Sequence, residues 1–138
     1  IFFAVGHIAQ VKRTQDITRI SGLTVSHPLL GWGLVLGVVA IAGLPPLGIF
    51  MSEFLVVSST VAREPLLAVP LVGGILVGFG ALMLRLSGLA FGEPTGPSDP
   101  AKASYVPMYL HLALVFAAGF YLPPVLVSWF QHVAAQLG

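Results

Sequence analysis

Apolar and polar positions alternate along this chain in long blocks, not residue by residue. The opening run "IFFAVGHIAQV" is apolar from Ile1 to Val11 and stops at Lys12 and Arg13. A polar stretch, Lys12 to His27, follows. A second apolar block extends from Pro28 to Ala62 and is interrupted by "GLPPLG". Arg63 and Glu64 separate it from a third block, Pro65 to Phe91, which stops at Gly92. "EPTGPSDPAKAS", Glu93 to Ser104, has the Pro, Gly and Ser content of a loop. A fourth block starts near Tyr105 and reaches Leu122, just before Pro123 and Pro124. Bilayer-crossing helices need about 20 mostly apolar residues. The pattern therefore predicts one transmembrane domain, 1–138, with a truncated helix at 1–11, a broken helix at 28–42 and 48–62, and helices at 65–91 and 105–122. In the tail, Val125, Leu126, Trp129, Phe130, Val133 and Leu137 recur at helical period, with Gln131, His132 and Gln136 away from them. This predicts a short interfacial helix at 124–137, with Trp129 near the headgroups. The alternative is that it continues the fourth helix through a proline kink, which membrane helices tolerate.

Composition decides the solvent. Of 138 residues, 57% are hydrophobic and 8% charged, whereas soluble domains carry about 25% charged residues. The expected fold is all-α, with polytopic helices whose apolar sides face lipid. Six Lys plus Arg against five Asp plus Glu give a net charge of +1, without the cationic cluster that nucleic acid requires. The absence of cysteine excludes disulfides, iron–sulfur ligation and thiolate metal sites. His7, His27, His111 and His132 fall in separate segments, so no metal is expected. The chain opens at Ile1 inside an apolar run with no charged segment ahead of it, unlike a signal peptide. It reads as a piece of a longer protein. Lys12, Arg13, Arg19 and Lys102 lie in loops one and three, with Arg85 near that side, against Arg63 alone in loop two. The positive-inside rule then places loops one and three in the cytoplasm and the C-terminus outside.

The second block carries the candidate chemistry. From Pro28 to Ala62, a straight helix would be about 50 Å long at about 1.5 Å per residue, beyond a hydrocarbon core of about 30 Å. Pro45 and Pro46 lack N–H groups and their rings clash with carbonyls one turn back. Gly43 and Gly48 permit unusual backbone angles on either side. A helix broken in this way survives in a membrane only where protein or trapped water satisfies the freed groups. Discontinuous helices of this kind mark ion and substrate pathways. Glu53 follows the break. A carboxylate there is protonated, paired or hydrated. Two readings stand: a group on a proton path, or an interfacial residue that caps the new helix.

The stretch "SGLTVSHPLLGWGLVLGVVAIAGLPPLGIFMSEFLVV" resembles the broken helix of the antiporter-like, proton-conducting membrane subunits. These occur in respiratory complex I, in membrane-bound hydrogenases such as hydrogenase-4 and formate hydrogenlyase, and in multisubunit Na⁺/H⁺ antiporters. Gly43, Leu44, Pro45, Pro46, Phe50 and Glu53 match the family's signature. "TQDITRISGL" resembles the preceding loop and "FFAVGHI" the end of the helix before it, while "MSEF" and "FGEP" are closest to the hydrogenase-4 F subunit type. The resemblance covers essentially the whole chain, as the last third of such a subunit. It implies that Glu53 matches the acid, lysine in some members, that ends the central hydrophilic axis and exchanges protons with the outer side. It also implies a bacterial or archaeal cell-membrane location, other membrane subunits and a hydrophilic redox arm as partners, and protons or Na⁺ as the ion. No cofactor is expected on this chain. The family's remaining key lysines and glutamate lie upstream of Ile1, so a complete path is not expected in this segment alone.

The other intramembrane polar groups have two readings each. His7 either extends an internal water chain or sits at the interface on a backbone carbonyl. Arg85 and His111 either anchor at the headgroups or make polar contacts to other helices or subunits. Asp16 and Arg19 either pair locally or meet a neighbour. Gly73, Gly74, Gly78, Gly80 and Gly88, with Ser87, are read as close-packing positions.

Overall fold

The computed structural model describes residues 1–100 and 104–136. Lys102, counted above toward orientation, and Leu137, counted in the tail stripe, lie outside the described residues. The described residues are all helix and loop: α1 (Phe2–Lys12), α2 (Leu23–Ser26), α3 (Pro28–Ile41), α4 (Gly48–Arg63), α5 (Pro65–Ala90), α6 (Val106–Phe120) and α7 (Pro124–Gln136). Proline stands in the first turn of α3, α5 and α6, where its missing N–H has no helical partner to lose. Among the described residues α5 alone is long and apolar enough to cross a bilayer by itself; its 26 residues extend about 39 Å. Val69, Leu76, Val77 and Leu84 on its surface are exposed, as suits a helix whose solvent is lipid or other helices. α7 leaves α6 at a bend of 72°, across Pro123 and Pro124.

The core sits at one end of the bundle. Ala4, Ile8, Val11, Leu23, Leu30, Leu34, Leu86, Ala90 and Met108 form a single buried cluster from α1, α2, α3, α5 and α6. Above it the first and third loops are stitched together. Ser21 donates to the Glu93 carbonyl, Thr24 to that of Ala90, and Thr95 to that of Arg19. The Gly22 amide donates to the Phe91 carbonyl and that of Asp99 to Val11. Arg13 pairs with Asp99. The sequence treats residues 12–27 as one polar loop; the structure instead folds it into a 3₁₀ turn, Ile17–Arg19, and the short α2. Asp16 caps that turn through Thr18 and pairs with Arg19 at 3.2 Å. Hydrogen bonds from the Thr18 side chain and amide, with Arg19 adding to them, hold Asp16 below the usual carboxylate range.

Lys12 is not a solvated loop residue. It is 1% exposed, and its Nζ donates to the Thr95 carbonyl at 2.9 Å. Its stem packs into the core end while its amine ties α1 to the third loop. Lys12→Ala removes both. The expected cost is about 2 kcal/mol, read as a lower melting temperature of the full-length protein in detergent together with faster protease cleavage between Glu93 and Asp99. Unchanged cleavage would mean that the remaining stitches hold the loop without it.

Candidate functional site

α3 ends because the residues after it cannot continue it. Pro45 and Pro46 offer no N–H to the carbonyls of Ile41 and Ala42 one turn back. Gly43 turns left-handed at φ 69°, a conformation that costs other residues about 1–2 kcal/mol. The Leu44 amide bonds the Val39 carbonyl at 3.4 Å, and that of Leu47 bonds the Leu44 carbonyl at 3.0 Å. Leu47 is extended, and α4 starts at Gly48 without a side-chain cap. The Pro45–Pro46 peptide bond is cis.

Glu53 is the sixth residue of α4, so it does not cap the helix. Its carboxylate instead folds back onto the break. A β-carbon placed on Gly43 would fall inside that carboxylate, closest to Oε2. The two residues that the sequence singles out ten positions apart are thus in direct contact. Among the described residues no hydrogen bond or ion pair reaches Glu53. It lines an apolar crevice of about 380 Å³ with Gly43, Pro45, Phe50, Ile75 and Phe79, and no other lining side chain carries charge. The crevice lies between the break, α4 and α5. The half-buried Glu53 carboxylate and Ala42, whose carbonyl Pro46 leaves without a helical donor, line the same crevice, and these acceptors can hold a proton, a water or a cation.

The break is seated by a residue that the sequence reading passed over. A β-carbon on Gly119 of α6 would overlap the Pro46 carbonyl oxygen and approach Leu47 C to 3.0 Å. Gly48 faces the same stretch of α6, with the Val115 carbonyl oxygen 3.6 Å from where its β-carbon would stand. Within this chain the glycines expected to pack closely meet no neighbour: Gly73, Gly74, Gly78, Gly80 and Gly88 have nothing of it within 4 Å of an added β-carbon.

The other candidates lie elsewhere. His7 is buried on α1, edge-on to Tyr105 with ring centroids 4.9 Å apart. Its Nδ1 has no partner among the described residues. α1 packs against α3 and α6, and His7 is not part of the Glu53 crevice. His111 donates from Nδ1 to the Pro107 carbonyl at 2.7 Å and stands 5.4 Å from the Phe3 ring. Arg85 is exposed on α5, beside the first loop. Among the described residues there is no cluster of His, Asp and Glu fit to hold a metal.

Residues 1–80 match the family described as NADH:quinone oxidoreductase/Mrp antiporter, transmembrane. A hydrogenase-4 component F homolog from Methylacidiphilum infernorum is 61% identical over 137 residues, 99% of this chain and 29% of that protein. A Na⁺/H⁺ antiporter subunit from Alkalihalophilus pseudofirmus is 28% identical over 144 residues, again 99% of this chain and 29% of that protein. An F420H2 dehydrogenase subunit from Methanosarcina mazei is 30% identical over 92 residues, 67% of this chain and 19% of that protein. The chain thus spans less than a third of the length of these curated relatives.

Proposed function

Because this chain belongs to the NADH:quinone oxidoreductase/Mrp antiporter family of membrane subunits, we propose that it forms the C-terminal part of a proton-translocating subunit in a hydrogenase-4-like complex. In this reading Glu53 exchanges a proton with the outer-side half-channel. The observation that carries it is the Glu53 carboxylate folded back onto Gly43 at the break. The Ala42 carbonyl, which Pro46 leaves without a helical donor, accepts a hydrogen bond from water there. The carboxylate then takes or releases a proton to that water. Phe50, Phe54 and Phe79 keep the crevice otherwise apolar, which confines water to the polar end. Electron transfer belongs to partner subunits of a redox arm, and it drives the proton through changes in local charge and hydration. His7, with its unpartnered Nδ1, is in this reading a second polar group on the path, reached on the α1 side and not through the Glu53 crevice. The C-terminus lies on the outer side of the membrane. Membership of a multisubunit Na⁺/H⁺ antiporter is the second reading, supported by the 28% identity to the antiporter protein of Alkalihalophilus pseudofirmus. The 61% identity to the component F homolog favours the first.

The test is proton pumping by the full complex in sealed vesicles, with electron transfer followed in the same samples. Glu53→Gln keeps the shape of the side chain and removes its proton chemistry. Protons moved per electron are expected to fall to the vesicle leak while the complex still assembles. Unchanged stoichiometry would make Glu53 a packing residue and remove it from the path.

A further inference from the structure

We propose that the crevice between the C-terminal part of α5 and the 3₁₀ turn of the first loop binds one anionic phospholipid, with its phosphodiester on Arg85. This goes beyond the role of Glu53 and does not depend on it. Arg85 precedes the end of α5, Ala90, by five residues, or about 7–8 Å along the axis. That is the depth at which a side chain of its length reaches the headgroup region. Among the described residues it has neither an ion-pair partner nor a hydrogen bond, whereas Arg13 and Arg19 each have a carboxylate. The crevice beside it, about 300 Å³, is lined by Ile17, Thr18, Ile20, Ser21, Leu84, Arg85, Gly88 and Leu89.

The chemistry of that lining selects the ligand. Thr18 already donates its hydroxyl proton to Asp16, and Ser21 donates to the Glu93 carbonyl. The free side-chain donors are therefore those of the guanidinium, whose planar fork matches two oxygens of a phosphate. Beside it the wall is apolar: Ile17 is 48% and Leu84 76% exposed, leaving surface for an acyl chain. Gly88 lies beside them, and nothing of this chain stands within 4 Å of a β-carbon built on it. A single charge beside an apolar wall fits a lipid, whose charge and chain are joined. A soluble anion would leave the apolar wall uncovered. Asp16, the acidic group nearest in sequence to this turn, is neutralised by Arg19 at 3.2 Å.

The experiment is native mass spectrometry of the full complex released from nanodiscs of equal phosphatidylglycerol and phosphatidylcholine. Arg85→Gln removes the charge. Gly88→Leu fills the crevice and leaves the charge in place. Both variants are expected to lower retention of phosphatidylglycerol about fivefold relative to the native protein, with phosphatidylcholine retention unchanged. Equal phosphatidylglycerol retention in all three proteins overturns the proposal. Loss of a neighbouring subunit from Arg85→Gln with lipid retention intact also overturns it, and assigns Arg85 to a protein carboxylate instead.

Discussion

Gly119→Ala is expected to prevent the α4–α6 contact from forming, and the assembled complex should be lost or should melt far below the native protein. The added methyl would enter the space of the Pro46 carbonyl oxygen. A flexible side chain could rotate away; a backbone carbonyl held between two prolines and a helix start cannot. Either α6 withdraws or the break opens, and both disturb the seat of Glu53. Overpacking a tight contact costs about 1–3 kcal/mol, occasionally more, and against a backbone the upper end applies. Total stability is commonly only about 5–15 kcal/mol, so a loss of this size is visible in yield. Gly73→Ala and Gly78→Ala are the matched controls. Their β-carbons meet nothing of this chain, and alanine favours a helix over glycine by about 1 kcal/mol. They should melt at or slightly above the native temperature. If Gly119→Ala melts with these controls, the close approach of Pro46 to α6 is not a structural requirement.

The contrast between these glycines shows where sequence reading stops. The break at Gly43–Gly48 is legible because proline chemistry is local: a missing N–H and a ring clash act within one turn. The apolar blocks are legible because lipid leaves long runs without charge. Membership of the family is legible for the same reason, since the signature from Gly43 to Glu53 lies within one short stretch. What failed was everything set by residues distant in sequence. Lys12 reads as the charged end of a helix, yet its amine is captured by Thr95, 83 positions away. Gly119 reads as an ordinary glycine near a helix end, yet it receives the Pro46 carbonyl. The glycines of α5 recur as packing residues do, but periodicity does not say which neighbour stands opposite, and within this chain none does. Glu53 stands out in the sequence as a carboxylate beside a break. That its side chain reverses over Gly43 depends on the path of the turn, which residue types alone do not fix.

That reversal has its own consequence: Gly43 and Glu53 should behave as one unit. Gly43→Ala carries two penalties. The left-handed backbone costs an alanine about 1–2 kcal/mol, and its methyl overlaps the Glu53 carboxylate, for about another 1–3 kcal/mol. Glu53→Ala removes the carboxylate and with it the second penalty only. Gly43→Ala should therefore cost about 3 kcal/mol in the native background and about 1 kcal/mol on top of Glu53→Ala, a coupling of about 2 kcal/mol. Denaturant or thermal unfolding of the four proteins in one detergent measures it. The same substitution should also depress pumping with Glu53 still present, because the methyl pushes the carboxylate off the break. Additive losses would show that the carboxylate does not rest on Gly43 in the folded protein. A strong coupling with normal pumping would separate structure from mechanism: the contact would be real, and the proton would travel without it.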